Sequence, residues 1–305
     1  LTITTDELSM NSTPILTIFL PASLGIIMLG LGLSLTISDF TRIFKMPKPV
    51  LIGLFCQAII LPIACFGLVI AFALPPELAV GLMLLAASPG GTSANLFSHL
   101  AHGDVALNVT LTAINSVLCI VTLPIIVNLS LFYFMSEQGS VGLQFSKVLQ
   151  VFAIVLIPIG IGMTIRRFRK GFAEVMEKPV KIMSALFLAL VVVVAVMESW
   201  EQFTQYFAIV GAAALAFNLI SLGVGYGVPR LLKLELRQSI AIGMEIGVHN
   251  GTLAIAIALS PMLLNNGVMA APAAIYSVIM FVTAALFGLL VNKIHGDQLG
   301  NNTAA

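Results

Sequence analysis

Nine long apolar segments indicate that this chain folds in a lipid bilayer and not in water. Each holds about 18 or more mostly apolar residues, the length that an α-helix needs to cross the hydrocarbon of a bilayer. Only 9% of the residues are charged, against about 25% in soluble domains. The segments lie near residues 14–36, 50–73, 78–99, 105–133, 148–165, 182–199, 206–228, 238–260 and 271–291. The sequence therefore predicts an all-α polytopic membrane protein with one transmembrane domain, 14–291, and polar tails at 1–13 and 292–305.

The basic residues predict the orientation of these segments. Loops on the cytoplasmic side of membrane proteins carry an excess of Lys and Arg. With the N-terminus outside, 13 of the 14 basic residues fall in cytoplasmic loops, and only Lys147 falls outside. The sequence thus predicts nine transmembrane helices that run N-out/C-in. Residues 1–13 have no basic n-region, so no cleavable signal peptide is expected.

Two of the segments contain a stretch that should interrupt a helix. Pro89, Gly90 and Gly91 stand together in the third segment, where proline removes a backbone donor and glycine weakens the helix. The eighth segment gathers glycines, an acid, a His and an Asn within 243–251. Segments 2–4 and 7–9 are offset by five, so the two triplets run in opposite directions. This pattern predicts inverted repeats with two broken helices that cross near the membrane midplane, as in secondary transporters.

Glu245 is the one charged residue deep inside an apolar segment, since Glu198 lies only one residue from the end of the segment 182–199. An unpaired carboxylate there costs roughly 2.5 to 3.5 kcal/mol even on lenient insertion scales, and such groups usually bind a cation or relay a proton. The alternative is a protonated glutamate that is hydrogen-bonded within the bundle. Oxygen atoms are the ligands that a hard monovalent cation prefers. Neighbouring segments offer them at Gln57, Asn95, Asn108 and Thr112.

Several motifs together resemble one transporter family. They are residues 25–35 followed by Asp39 and Phe40, then 56–62, 88–95, 100–112 and 245–254. On these motifs the chain resembles the bile acid:sodium symporter family over residues 15–292, and its bacterial members more than the mammalian ones. The combination is specific, whereas any single motif would be weak.

The resemblance implies a fold in two parts and two sodium sites. The panel would be the segments 14–36, 148–165 and 182–199, and the core the other six. The first sodium site would use Asn95, Asn108, Thr112 and Glu245. The second would use Gln57, Glu245, the carbonyls of Ile246 and Val248, and the side chain of His249. An organic anion would bind near Thr92, Ser93 and Asn250, and no organic cofactor is expected.

The sequence departs from the family pattern at a few positions. Ala94 stands where the family often has Ser, and Asn108 where it commonly has Ser or Thr. His249 replaces the usual Gln, and imidazole nitrogen is a poorer sodium ligand than an amide oxygen. The second site is therefore expected to be weakened, or to hold a water or a proton. Met280 and Phe281 replace a polar pair of some bacterial members, which predicts a more apolar cavity.

The predicted function is sodium-coupled symport of an organic anion, a carboxylate, by alternating access in a bacterial inner membrane. One alternative is proton coupling, because Glu245 and His249 lie four residues apart and could share a proton. A membrane enzyme is a weaker alternative, since His99, His102 and Asp104 lack a further metal ligand at suitable spacing.

A net charge of +1 gives no excess of basic residues of the kind that binds nucleic acid. The three cysteines read as small core residues. The sequence identifies neither the anion nor the oligomeric state.

Overall fold

The computed structural model describes residues 25–135 except 27, residues 145–186 except 177, 181, 184 and 185, and residues 200–300 except 261 and 262. Within these ranges the chain is helical, with one isolated β-bridge. Residues 25, 26 and 28–34 are helical and precede the first numbered helix. The helices that follow are α1 (Ile37–Thr41), α2 (Pro47–Phe55), α3 (Leu61–Ala71), α4 (Pro76–Ala87), α5 (Thr92–Leu100), α6 (Val105–Met135), α7 (Phe145–Phe168), α8 (Trp200–Leu231), α9 (Leu236–Gly247), α10 (Gly251–Leu259) and α11 (Gly267–Gly300). A π-helical turn, Cys56–Ile60, joins α2 to α3.

Four helical stretches of the described chain are long and apolar enough to cross a bilayer. They are Pro47–Ala71, Val105–Met135, Thr204–Leu231 and Gly267–His295, and α4 is a shorter apolar helix. They coincide with the second, fourth, seventh and ninth predicted segments, which confirms an all-helical fold for the described residues, with helices long and apolar enough to span a membrane. The count of nine spans, the N-out/C-in orientation and the inverted repeat stay predictions.

The predicted interruption of the third segment is confirmed. Helix α4 ends at Ala87, and α5 begins at Thr92. Ser88 has φ −73° and ψ 148°, an extended conformation. Its cause is local, because a proline disfavours the helical conformation of the residue before it, and Pro89 follows.

The eighth segment is interrupted as well, between α9 and α10. Helix α9 ends at Gly247, and Val248 has φ −111° and ψ 80°. No proline breaks this helix. The main chain of the first interruption pairs with the main chain of the second. The N–H of Gly91 donates to the Val248 carbonyl at 2.8 Å, and the N–H of Asn250 donates to the Pro89 carbonyl at 2.8 Å. Each interruption therefore satisfies backbone groups that the other leaves unpaired.

Helices α4 and α9 lie at the centre of the packing. Residues 78–87 of α4 and 239–247 of α9 are all buried. Small residues permit close approach, the usual packing mode of membrane helices. A Cβ added at Gly81 would meet the main chain of Met269 in α11, and one added at Gly225 in α8 would lie 2.7 Å from the Cα of Gly243 in α9. The interruptions that follow α4 and α9 are thus held inside protein.

Two of the predicted panel segments also pack closely where the structure describes them. A Cβ added at Gly162 of α7 would lie 2.6 Å from the Leu29 carbonyl oxygen. Arg166 Nη1 donates to the Leu33 carbonyl at 2.7 Å. Residues 14–24 and 187–199 of the predicted panel lie outside the described residues, so the division into panel and core stays a prediction.

Candidate functional site

Glu245 lies on α9 with no exposed surface, next to the interruption. Its two carboxylate oxygens face α6. Thr112 Oγ1 donates to Oε2 at 2.6 Å, and Asn115 Nδ2 donates to Oε1 at 3.4 Å. The ion pairs found among the described residues join Arg42 to Asp39 and Lys170 to Glu174, so no described basic side chain pairs with Glu245. A buried carboxylate without a basic partner calls for a bound cation or a proton.

Three side-chain amides that the sequence predicts as ligands have unpaired oxygens. Gln57 Oε1, Asn95 Oδ1 and Asn108 Oδ1 are buried and accept no hydrogen bond. The nitrogens of two of them are engaged: Gln57 Nε2 donates to the Ala86 and Ser88 carbonyls at 3.2 and 2.9 Å, and Asn108 Nδ2 donates to the Ala241 carbonyl at 2.7 Å. An unsatisfied buried acceptor costs about 1–3 kcal/mol. Cation coordination would satisfy such oxygens, and amide oxygens are hard donors of the kind that sodium prefers.

Gly90 brings the backbone of the first interruption against the Glu245 side chain. A Cβ at this position would overlap the Glu245 carboxyl group. The sequence identified Gly90 only as a helix breaker. The structure adds that its missing side chain is what lets the main chain reach the carboxylate.

The predicted anion-binding residues lie at the start of the two short helices. Helix α5 begins at Thr92 after its N-cap, Gly91, and Ser93 is half-buried in its first turn. Asn250 is the N-cap of α10, where its Oδ1 accepts from the Leu253 N–H at 3.0 Å. The Asn250 oxygen is therefore engaged in capping, which leaves its amide nitrogen as the group for an anion. The role of these residues in substrate binding stays a prediction.

His249 packs among aromatic rings. Its ring stacks on Phe217 of α8, with centroids 5.5 Å apart and planes at 7°, and lies 5.4 Å from the ring of Tyr276 in α11. The residue is 1% exposed, and neither ring nitrogen has a partner of good hydrogen-bond geometry. The Glu245 carboxylate bonds to α6 instead. The direct hydrogen bond of a Glu245–His249 proton relay is therefore not formed in the described structure.

Asn115 is a partner of the Glu245 carboxylate that is absent from the predicted site residues. Asn115 lies three residues after Thr112 and seven after Asn108, so the three share one face of α6. Its amide contacts Glu245, and its side chain also lines a small cavity with Gln57 and Pro89. The helical spacing was the signal that could have found it.

The family follows from a comparison of the sequence with known proteins. Residues 21–206 match the model described as the Sodium Bile acid symporter family. The chain belongs to the sodium bile acid symporter family. Relatives of this family member include an "Uncharacterized sodium-dependent transporter YocS" of Bacillus subtilis, which is 33% identical over 84% of this chain and 77% of its own length.

Other relatives of this family member come from eukaryotes. The "Probable sodium/metabolite cotransporter BASS1, chloroplastic" of Arabidopsis thaliana is 27% identical over 84% of this chain and 62% of its own length. The "Sodium/bile acid cotransporter 4" of Homo sapiens is 28% identical over 93% of this chain and 65% of its own length. The chain thus spans less than two thirds of the length of these two relatives.

These relatives are named as transporters, not enzymes. The loop that suggested the enzyme alternative contains a helix cap. Asp104 Oδ1 accepts from the Leu107 N–H at 3.0 Å, which caps the first turn of α6. His99 is exposed at the end of α5. Among the described residues, no group of three or more His, Cys, Asp or Glu side chains could hold a metal ion. The cysteines are free and buried, as expected of core residues: Cys56, Cys65 and Cys119.

Proposed function

We propose that this protein is a sodium-driven symporter of an organic anion, a carboxylate, that works by alternating access in a bacterial plasma membrane. The observation that carries the proposal is the buried Glu245 carboxylate, which has no described basic partner. It lies where two interrupted helices pair, in a part of the protein where buried amide oxygens are unpaired. Family membership supports sodium as the coupling ion, because relatives are named sodium-dependent transporters and cotransporters.

The first cation site in this proposal combines α5, α6 and α9. Glu245 supplies the charge, and Thr112, Asn95 and Asn108 supply neutral oxygens. The Thr112 hydroxyl donates its proton to the carboxylate, so its lone pairs remain available to a cation. A carboxylate with amide and hydroxyl oxygens is a hard donor set, which suits sodium better than a soft or nitrogen-preferring metal.

A second sodium site would lie on the other side of the same carboxylate. It would use Gln57 Oε1, the carbonyls of Ile246 and Val248, and the side chain of His249. The Val248 carbonyl already accepts a hydrogen bond from Gly91, and an imidazole is a weak sodium ligand. This site is therefore proposed as the weaker of the two.

The anion would bind at the starts of α5 and α10. The N-terminus of a helix carries about half a positive charge and unpaired N–H groups, which favour a carboxylate. Thr92, Ser93 and Asn250 lie there. A bound sodium ion that ties α5 to α6 and α9 would fix the direction of these helix starts. Cation binding would in this way prepare the anion site.

Transport in proteoliposomes tests this function. Uptake of radiolabelled carboxylates should be driven by an inward sodium gradient and not by a matched choline gradient. Glu245→Gln should abolish the sodium-driven component. Glu77→Gln is the matched control, because Glu77 lies at the start of α4 and accepts a hydrogen bond from Asn266 at 2.8 Å, which a glutamine oxygen can still do.

The proton alternative is decided in the same vesicles. Uptake driven by an inward pH gradient in sodium-free buffer would replace sodium coupling with proton coupling. With two sodium ions for each monoanion, an inside-negative potential should also speed uptake, since one net charge contributes about 2.3 kcal/mol per 100 mV. Electroneutral sodium-driven uptake would limit the stoichiometry to one ion.

A further inference from the structure

The carbonyl of Gly247, the last residue of α9, is held by side chains of two other helices. In a continuous helix this carbonyl would accept from the N–H of residue 251. That N–H donates to the His249 carbonyl instead, at 3.0 Å. The Gly247 carbonyl accepts from Asn218 Nδ2 of α8 at 2.9 Å and from the Tyr276 hydroxyl of α11 at 3.0 Å.

A third residue bonds to the other end of the Asn218 amide. The Gly247 carbonyl can only accept, so Asn218 directs its NH₂ group toward that carbonyl and its Oδ1 toward Thr283 Oγ1, 2.5 Å away on α11. Thr283 Oγ1 also lies 3.0 and 3.1 Å from the Ile279 and Met280 carbonyls of its own helix. Asn218 and Tyr276 are fully buried. We call the three side chains Asn218, Tyr276 and Thr283 the Gly247 clamp.

The clamp holds the backbone next to a carbonyl that the interruption releases. A continuous helix would direct the N–H of Asn250 to the Ile246 carbonyl, but this N–H donates to Pro89. The Ile246 carbonyl thus loses its helical partner one residue after Glu245. Since the Gly247 carbonyl is fixed on one side and the Val248 carbonyl is bonded to Gly91, the peptides between Ile246 and Val248 have little freedom to rotate.

We propose that Asn218 and Tyr276, with Thr283 behind them, are positioning residues for sodium. They touch neither the Glu245 carboxylate nor the starts of α5 and α10 through any hydrogen bond of the described structure. They hold the interrupted backbone so that the released carbonyl beside Glu245 keeps one direction before the cation arrives. Such preorganisation raises affinity because less ordering remains to be done on binding. This inference rests on the sodium-driven function proposed above.

The chain offers closely matched variants to test the clamp. Tyr276→Phe removes one hydroxyl and keeps the ring that packs against His249 and Phe217. Thr283→Val removes the hydroxyl that bonds to Asn218 Oδ1 and keeps the side-chain shape. Tyr226→Phe is the control, because the Tyr226 hydroxyl bonds to His295 Nε2 at 3.1 Å, away from the interruption.

The measurement is sodium-dependent thermal stabilisation of the purified protein without any organic substrate, followed by uptake at varied sodium. For Tyr276→Phe we expect the half-saturating sodium concentration to rise about 2- to 10-fold, the equivalent of one hydrogen bond. Thr283→Val should shift it in the same direction by less. Tyr226→Phe should match the wild type. At saturating sodium, the KM for the anion should be unchanged in all three.

A merely structural clamp gives a different result. It would lower the melting temperature of Tyr276→Phe and leave its half-saturating sodium concentration at the wild-type value, which overturns the positioning role. If the wild type itself shows no response to sodium, the sodium-driven function fails and the positioning role fails with it. A sodium response that is equal in the wild type and both clamp variants overturns the clamp inference alone.

Discussion

Thr112 and Glu245 are joined by a 2.6 Å hydrogen bond between two buried side chains that lie 133 residues apart in the sequence. The bond links α6 to α9 and fixes one oxygen of the carboxylate. Hydrogen bonds to a charged group are the stronger class, at about 1.5–3 kcal/mol. The two helices therefore present the carboxylate in one orientation, and a cation bound to this carboxylate in the proposed site would lie close to the Thr112 oxygen.

Thr112→Val should weaken sodium binding. Loss of a charge-assisted bond and of one neutral oxygen should raise the half-saturating sodium concentration for uptake roughly 10- to 150-fold. Thr110→Val is the control, since Thr110 Oγ1 bonds only to the Ala106 carbonyl of its own helix at 2.8 Å. Equal sodium curves for the two variants would show that Thr112 is not a ligand.

Gly90→Ala should displace the Glu245 carboxylate, because the new Cβ would overlap it. Overpacking of a close-packed site costs about 1–3 kcal/mol, which corresponds to a roughly 5- to 150-fold loss of sodium affinity. Gly67→Ala in α3 has nothing within 4 Å of the added atom and should leave sodium affinity unchanged. Thermal stabilisation by sodium measures both, and an unaltered sodium response of Gly90→Ala would contradict the close approach.

Asn250→Ala should destabilise α10. The side chain caps this helix through the Leu253 N–H, and loss of such a cap costs about 0.5–2 kcal/mol. The melting temperature in sodium-free buffer should fall. Asn250→Ser keeps a capping oxygen and should stay near the wild type in melting temperature, yet both variants should raise the KM for the anion. A normal KM in the serine variant would remove Asn250 from the substrate site.

His249→Gln should strengthen the weaker of the two proposed sodium sites. It replaces ring nitrogens that have no partner of good geometry with an amide oxygen, which is the better sodium ligand. Uptake should then depend more steeply on sodium concentration, with a higher Hill coefficient than the wild type. His99→Gln, at an exposed position, is the control. An unchanged or lower coefficient would show that the side chain at 249 does not face a cation.

The sequence predicts the first interruption better than the second for a physical reason. Pro89 acts on its immediate neighbour, so the break between α4 and α5 follows from local chemistry. The break between α9 and α10 depends on hydrogen bonds from Gly91 to Val248 and from Asn250 to Pro89. A contact between segments so distant in the chain leaves no local pattern, although the cluster of glycine and polar residues marks the place.

The candidate site likewise combines residues that local sequence predicts with residues that only the structure identifies. An acid alone in an apolar segment identifies Glu245, and helical spacing connects Asn108 with Thr112. The same spacing extends to Asn115, which the prediction left out. Asn218 and Tyr276 could not be found this way, because a lone Asn or Tyr in a membrane helix is most simply read as interhelical packing. Their role depends on which carbonyl they reach, and only the three-dimensional arrangement shows that.

The reciprocal main-chain bonds between the two interruptions limit how this protein can diverge. Removal of one residue from 88–91 would leave a backbone donor and a backbone acceptor in 248–250 without partners. Removal of one residue from 248–250 would do the same to 88–91. Insertions and deletions in these two stretches should consequently occur together or be absent among homologues. A chimera that exchanges only one stretch with a relative of different loop length should fail to accumulate in membranes, whereas the double exchange should be tolerated.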